Sequence, residues 1–320
     1  MKMKKIVLLF ALIALIMNTF SQTEPTSRFI ESEIILKTPT GDIYGTLTIP
    51  VEKKSFPLVL IIAGSGPTDR NGNSAMGLTC NAYQMIAHGL ANEGIGSVRF
   101  DKRGIGASKN AMGSESELRF ETYVQDAIAW IHLLETDKRF KELYILGHSE
   151  GSLIGILAAQ QTKIEGYISV AGPGKSSDKI LQDQLKDKLP IYLIAATNQI
   201  IDSLKAGKTV EKVDPNLMSM FRPSIQPYMI SWFKYDPSNE IGKLKGDILI
   251  VQGTTDLQVK TEEAYLLSKG NRKAELLIIE NMNHVLKESS MDTKENMETY
   301  NMPNIPLKAG FLDAIIEFVK

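Results

Sequence analysis

Leu143-Tyr144-Ile145-Leu146-Gly147-His148-Ser149-Glu150-Gly151-Ser152-Leu153-Ile154-Gly155-Ile156-Leu157 joins an apolar run of strand type to one of helix type through G-x-S-x-G. In that setting the motif reads as a nucleophile elbow, a tight strand-to-helix turn that lifts the Ser149 hydroxyl above the edge of a sheet. Such a serine sits in a strained backbone conformation, so the positions two residues to either side must lack a Cβ. Gly147 and Gly151 meet that need. The helix that follows aims the positive end of its dipole at the serine, where negative charge would develop during attack on a carbonyl. The pattern alone is weak in a chain with 24 glycines. The strand before it and the helix after it give it meaning.

A serine hydroxyl is a poor nucleophile at neutral pH, so the reading requires a histidine as base and an acid to orient it. The chain has four histidines. His148 lies inside the elbow, with its side chain expected to point away from the nucleophile. His88 and His132 fall in helical runs, residues 83–90 and 127–134, and read as packed or surface residues. His284 differs, because it follows the strand-like run 274–280 and stands in the polar turn Asn281-Met282-Asn283-His284. Loops at the carboxyl ends of strands are where open α/β sheets place their functional groups. The acid should come from the same edge and, in this type of fold, between serine and histidine in chain order. Asp247-Ile248-Leu249-Ile250-Val251-Gln252-Gly253 reads as a buried strand and runs on into Thr254-Thr255-Asp256. Asp256 therefore lies just past a carboxyl end, whereas Asp247 starts the strand at the opposite edge. Asp236 belongs to a connection, and Glu280 is too near its own strand to reach around His284. The catalytic candidates are Ser149, Asp256 and His284.

The rest of the chain alternates strand and helix. Ile34-Ile35-Leu36-Lys37 and Ile43-Tyr44-Gly45-Thr46-Leu47-Thr48-Ile49, joined at Thr40-Gly41-Asp42, predict a leading hairpin. Strands follow near 57–63, 96–100, 142–147, 165–171, 247–253 and 274–280, and helices near 79–93, 118–136, 150–161, 260–269 and 307–319. Alternation of this kind implies an α/β fold, a mostly parallel sheet with helices on both faces. One stretch breaks it. Residues 175–236 are helical in pattern without a strand, and Leu217, Met218, Met220, Phe221, Met229, Trp232 and Phe233 make it apolar and Met-rich. They read as an inserted helical cap over the site, most of whose apolar residues pack its own small core while a few line an acyl pocket. The core is then 22–174 with 237–320.

Ser149, Asp256 and His284, in that order and each after a predicted strand, resemble the triad of the α/β-hydrolase superfamily. Two further segments fit it. Phe56-Pro57-Leu58-Val59-Leu60-Ile61-Ile62-Ala63-Gly64-Ser65-Gly66-Pro67 is similar to the third strand and oxyanion loop, and Asp101-Lys102-Arg103-Gly104-Ile105-Gly106-Ala107-Ser108 to the D-x-R-G-x-G-x-S turn after the fourth. The run 64–73, with Gly-His-Ser-Glu-Gly and Asn-His, resembles a bacterial exported esterase branch of serine-aminopeptidase type, from about Glu31 to the last helix. The resemblance implies an oxyanion hole built from the backbone N–H groups of Glu150 and Ser65. It implies a carboxylesterase working by two-step acyl transfer, with a small-molecule ester as substrate and neither metal nor organic cofactor. An aminopeptidase or amidase on the same triad would need an anionic subsite for a free amine, which Glu150 or Asp69 would supply. A non-catalytic binding protein on the same scaffold would have no use for all three residues in order. The Glu150 carboxylate has a second reading, as a favourable charge in the first turn of a helix. Asp69 and Arg70 either pair to hold their loop or face the substrate, and Asp101 and Arg103 brace the turn beside the elbow.

Met1-Lys2-Met3-Lys4-Lys5, the apolar run from Ile6 to Met17, and Thr19-Phe20-Ser21 form a signal-peptide pattern over residues 1–21 with cleavage before Gln22. The expected location is the periplasm or the medium, with no stable membrane span left after cleavage, since the apolar run is short for a bilayer. Cys80 is the only cysteine, so no intramolecular disulfide forms even there. Charges nearly cancel, at −1 net, so no basic surface argues for nucleic acid. There is no Cys/His cluster with metal spacing, and nothing specifies an oligomeric state.

Overall fold

The computed structural model describes residues 28–186 and 188–320; the expected signal peptide lies outside them. The apolar runs form strands β1 (Phe29–Thr38), β2 (Gly41–Pro50), β3 (Phe56–Ile62), β4 (Gly96–Phe100), β5 (Phe140–His148), β6 (Gly166–Val170), β7 (Asp247–Gly253) and β8 (Glu275–Ile279). They make one sheet in the order β1-β2-β4-β3-β5-β6-β7-β8. β1 and β2 are an antiparallel hairpin, and β2 pairs antiparallel with β4; every later pairing, from β3·β4 to β7·β8, is parallel. Residues of one central strand serve two cores in alternation. In β3, Leu58, Leu60 and Ile62 join one apolar cluster while Val59 and Ile61 join the other. That double burial is why the strand carries no polar face.

Helices cover both faces. On one side lie α1 (Ala82–Asn92) and, at the end of the chain, Phe311–Val319, whose Ile86, Leu90, Phe311 and Ile315 fill the cluster beneath β3, β5 and β6. On the other lie α2 (Phe120–Glu135) and α3 (Glu150–Ala159), with Val124, Trp130, Leu153 and Leu157 in the larger cluster. α3 is buried along almost its whole length, and it is apolar on every side rather than striped. Between β6 and β7 the chain runs through α4 (Ser177–Leu185), α5 (Ile191–Lys205), α6 (Met218–Phe221), α7 (Gln226–Trp232) and α8 (Pro237–Ile241). α9 (Thr261–Gly270) follows β7.

Helix α10 (Thr293–Glu298) lies where no periodic run was visible. Its sequence, Thr-Lys-Glu-Asn-Met-Glu, lacks an apolar stripe, and the helix is started instead by Asp292, whose carboxylate accepts from the N–H groups of Lys294 and Glu295. Among the described residues, no helix is long and apolar enough to cross a membrane.

Candidate active site

Ser149 stands between β5 and α3 at φ 56°, ψ −122°, a conformation that costs energy for a residue with a Cβ. The flanking glycines explain how it is tolerated. A Cβ on Gly147 would come within 2.3 Å of the Gly151 carbonyl oxygen, and one on Gly151 within 2.3 Å of the Ile62 oxygen in β3. Helix and strand approach too closely for any larger residue. The Ser149 N–H is held by the Val170 carbonyl at 2.9 Å, which ties the turn to β6.

His284 and Asp256 meet from different loops. His284 Nδ1 lies 2.8 Å from Asp256 Oδ2, and both side chains are buried. The other oxygen of Asp256 accepts from the N–H groups of Gln258 (2.8 Å) and Val259 (2.9 Å), so the carboxylate cannot swing. Burial alone would push the Asp256 carboxyl up, but the hydrogen bond from His284 and the positive charge that ring carries when protonated, with these two amides, outweigh it and hold the group below the usual range. A carboxylate can only accept, so His284 Nδ1 carries the proton and Nε2 is left as a base. Ser149, half-buried, and His284 line one pocket of about 90 Å³. No hydrogen bond joins Ser149 Oγ to His284 among the described residues; such contacts often tighten only around substrate.

His148, expected to point away from the nucleophile, turns toward the loop of His284. It is buried and lines the same pocket, with its ring centroid 4.8 Å from that of His284. Its Nε2 is 2.9 Å from the backbone oxygen of His284 and its Nδ1 is 2.8 Å from the Tyr83 hydroxyl. A carbonyl only accepts, so Nε2–H donates to it, Nδ1 accepts, and the Tyr83 hydroxyl is the donor. The Tyr83 oxygen in turn accepts from the Gly64 N–H at 3.2 Å. Burial, reinforced by the neighbouring His284, pushes the His148 imidazole down to about 3, so it is neutral in this chain of bonds. Tyr83 carries no sequence signal beyond being an aromatic on the apolar side of a helix.

The positions expected to form an oxyanion hole stand beside Ser149. A Cβ on Gly64 would lie 3.0 Å from Ser149 Cβ. The next N–H, that of Ser65, and the N–H of Glu150 at the start of α3 have no acceptor among the described residues. The Glu150 side chain turns away from the pocket. It is buried, 3.3 Å from Lys102 Nζ, and it accepts from the Tyr228 hydroxyl of α7. Asp69 Oδ1 accepts from the N–H groups of Asn71 and Asn73 (2.8 and 2.9 Å). The loop ion pair is not Asp69–Arg70: Arg70 pairs with Asp101 at 2.7 Å. Asp101 also accepts from the Ala107 N–H, and Arg103 forks onto Asp126 at 2.6 Å. His88 pairs with Glu31 and His132 with Glu135, both part-exposed.

The pocket walls come from the loop after β3 (Thr68, Leu78, Cys80), from Ala82 and Tyr83 in α1, and from Val285, Leu286 and Tyr300. No residue of 175–236 lines it, which departs from the expectation of an acyl pocket under the cap. The reason is packing. Phe233 is fully buried, Trp232 stacks on Phe120 of α2 with centroids 5.9 Å apart, and Ser231 Oγ accepts from the Phe120 N–H. The aromatic residues of the insertion thus fasten it to the core. α4 does border a second cleft, of about 580 Å³, with Lys260 and Met297, and Gln258 lines both spaces.

The sheet order, with a strained residue between β5 and the helix it feeds, is that of the α/β-hydrolase fold. Residues 74–288 match the family described as Serine aminopeptidase, S33, and the chain belongs to that family. It is 26% identical over 247 residues to Esterase EstD of Thermotoga maritima, an alignment covering 76% of this chain and 57% of that protein. The chain thus spans little more than half the length of that relative. Among solved structures it is similar to Est1E from Butyrivibrio proteoclasticus, with TM-score 0.57 and 16% identity over 89% of this chain and 96% of that one. It is also similar to a Mycobacterium tuberculosis puromycin-hydrolyzing peptidase, with TM-score 0.58 and 17% identity over 93% of this chain and 40% of that one. At such identities these two establish the fold.

Proposed function

We propose that this chain is an exported serine hydrolase that cleaves carboxylic esters bearing short acyl groups. One observation carries the reading. The pocket shared by Ser149 and His284 has no carboxylate in its lining, and the two that would have served a free amine, Glu150 and Asp69, are engaged elsewhere. An aminopeptidase needs an anion there, and an ester does not. Esterase EstD carries the corresponding activity in its name, which supports the same choice.

In this mechanism His284 Nε2 takes the proton from Ser149 Oγ as the oxygen attacks the ester carbonyl. Asp256 fixes the tautomer and stabilises the imidazolium that forms. The Ser65 and Glu150 N–H groups receive the oxyanion, each contributing about 3–4 kcal/mol to the transition state. His284 then hands the proton to the leaving alcohol, and water hydrolyses the acyl-enzyme by the same route. The acyl group occupies the apolar side formed by Leu78, Cys80, Ala82 and Val285. At about 90 Å³ the space is smaller than the roughly 150 Å³ that takes up benzene in an engineered cavity, so it suits two to four carbons. The alcohol side opens toward Gln258 and the larger cleft beneath α4. The basic start, apolar run and Thr19-Phe20-Ser21 support export, with the mature chain beginning at Gln22.

The test is a panel of p-nitrophenyl esters from acetate to octanoate together with aminoacyl amides. Acetate to butyrate should be preferred over octanoate by at least about tenfold in kcat/KM, the discrimination that one or two pocket contacts give. Ser149→Ala should lose several orders of magnitude while remaining folded. Faster turnover of aminoacyl amides than of any ester would overturn the ester reading, and retained activity in Ser149→Ala would overturn the mechanism.

A further inference from the structure

The oxyanion loop is held from a direction the mechanism does not use. The Gly64 carbonyl and the Ser65 N–H belong to one peptide unit, and in a planar trans peptide they point to opposite sides; the described chain has no cis peptide. Lys102 Nζ, in the turn after β4, donates to the Gly64 oxygen at 2.5 Å. This lysine is only 3% exposed. Its other polar contact is Glu150 Oε2 at 3.3 Å, and the ring of Tyr123 lies 5.2 Å from its nitrogen. An ammonium buried this deeply is expensive to desolvate, and a salt bridge alone is a weak reason to keep one. The contact with Gly64 supplies another reason. It fixes the plane of the Gly64–Ser65 peptide and so the direction of the Ser65 N–H on its far side.

We infer that Lys102 is a positioning residue of the oxyanion hole, acting through the Gly64 carbonyl to aim the Ser65 N–H. Its charge also polarises the peptide, since hydrogen bonds in series strengthen one another, and makes that N–H a better donor. The carboxylate that steadies it, Glu150, belongs to the residue whose own N–H is the second donor. One buried pair therefore holds both halves of the hole in register. Tyr228 of α7 adds a bond from the inserted helices to the same carboxylate. The inference rests on Ser149 as nucleophile with Ser65 and Glu150 as oxyanion donors.

Lys102→Met removes the donor at similar length. On p-nitrophenyl acetate, kcat should fall about 10–100-fold with KM within about threefold of wild type, somewhat less than deleting an oxyanion donor outright. A methyl trifluoromethyl ketone, which adds the serine and presents an oxyanion, should lose affinity by the same factor as kcat/KM, a readout that simple loosening of the fold would not reproduce. Lys102→Gln keeps a neutral donor and should fall between Lys102→Met and wild type; it is the variant to read if Lys102→Met does not fold. A folded variant of either kind with wild-type kcat, or with a loss confined to KM, overturns the inference. Ser149→Ala run alongside separates the two claims. If it is active, the mechanism fails and this inference with it. If it is inactive while the Lys102 variants match wild type, only this inference fails.

Discussion

Tyr83→Phe removes one oxygen from the interior and leaves two polar groups without partners. In the wild type the hydroxyl accepts from the Gly64 N–H at 3.2 Å and donates to His148 Nδ1 at 2.8 Å. Tyr83 is 3% exposed and His148 6%, so water has little access to either. The ring itself is retained, and apolar packing around it should change little. The cost is then the desolvation of two unsatisfied groups, about 1–3 kcal/mol each. The longer of the two bonds puts the Gly64 share at the low end, for a total of about 2–4 kcal/mol. In a domain of about 300 residues a kcal/mol corresponds to about 1.5–2 °C, so Tm should fall by roughly 3–8 °C. Differential scanning calorimetry on both proteins measures it. The same substitution frees His148 to rotate away from the His284 carbonyl, so kcat should drop with the stability. A Tm change below about 2 °C would mean that the two bonds are not made as described, and the orientation assigned to His148 would fall with them.

His148 also predicts a dependence on pH. An ordinary histidine titrates near 6.5, and this one is pushed down to about 3, so between those values the unfolded chain binds a proton that the folded chain refuses. Its contribution to stability is complete above about pH 6.5 and is lost as the pH falls toward 3, at roughly 1.4 kcal/mol per pH unit. Urea unfolding from pH 7 to 4 should show a shallower decline for His148→Gln than for wild type, and parallel curves would refute the assignment. Gly151→Ala places a Cβ 2.3 Å from the Ile62 oxygen and 2.7 Å from that of Ala63. It should cost about 1–3 kcal/mol or more through overpacking and nearly all ester turnover. Gly207→Ala, at φ 76° with no atom within 4 Å, should cost only the 1–2 kcal/mol of left-handed strain and leave turnover intact. Equal effects of the two on activity would remove the steric reason for the elbow glycine.

The sheet was legible because its physics is local and repetitive. Apolar runs such as 58–62 and 248–251, short and bounded by turn residues, read as strands buried on both faces, and the glycines at 147 and 151 announce a turn that needs close approach. The meeting of Asp256 with His284 followed from both lying past strand carboxyl ends in a parallel sheet. What stayed hidden depends on long-range aim. Tyr83 is 65 residues from His148, and Lys102 is 38 from Gly64; no periodicity encodes which way such side chains face. The elbow geometry suggested only that His148 points away from the nucleophile; its turn toward the 284 loop, where two fixed partners hold it, is a matter of long-range aim. The insertion misled for a related reason. Its Met and aromatic residues are equally suited to lining a pocket or to gripping α2, and composition does not distinguish an inner surface from an adhesive one.

The bonds from Gly64 through Tyr83 and His148 to the His284 carbonyl have a direction, every donor pointing toward the next acceptor. They begin at a peptide N–H and end at a peptide C=O, neither of which gives up or takes on a proton at any pH where the protein is folded. A chain terminated in that way cannot carry protons to or from the reacting atoms, however short its links. It acts as a brace of fixed polarity, and its two ends lie in the loop of Gly64 and the loop of His284. In the proposed mechanism, the spacing between the group that receives negative charge and the group that removes a proton is thus set by a polar span through the interior. The two events of the attack then share one ruler.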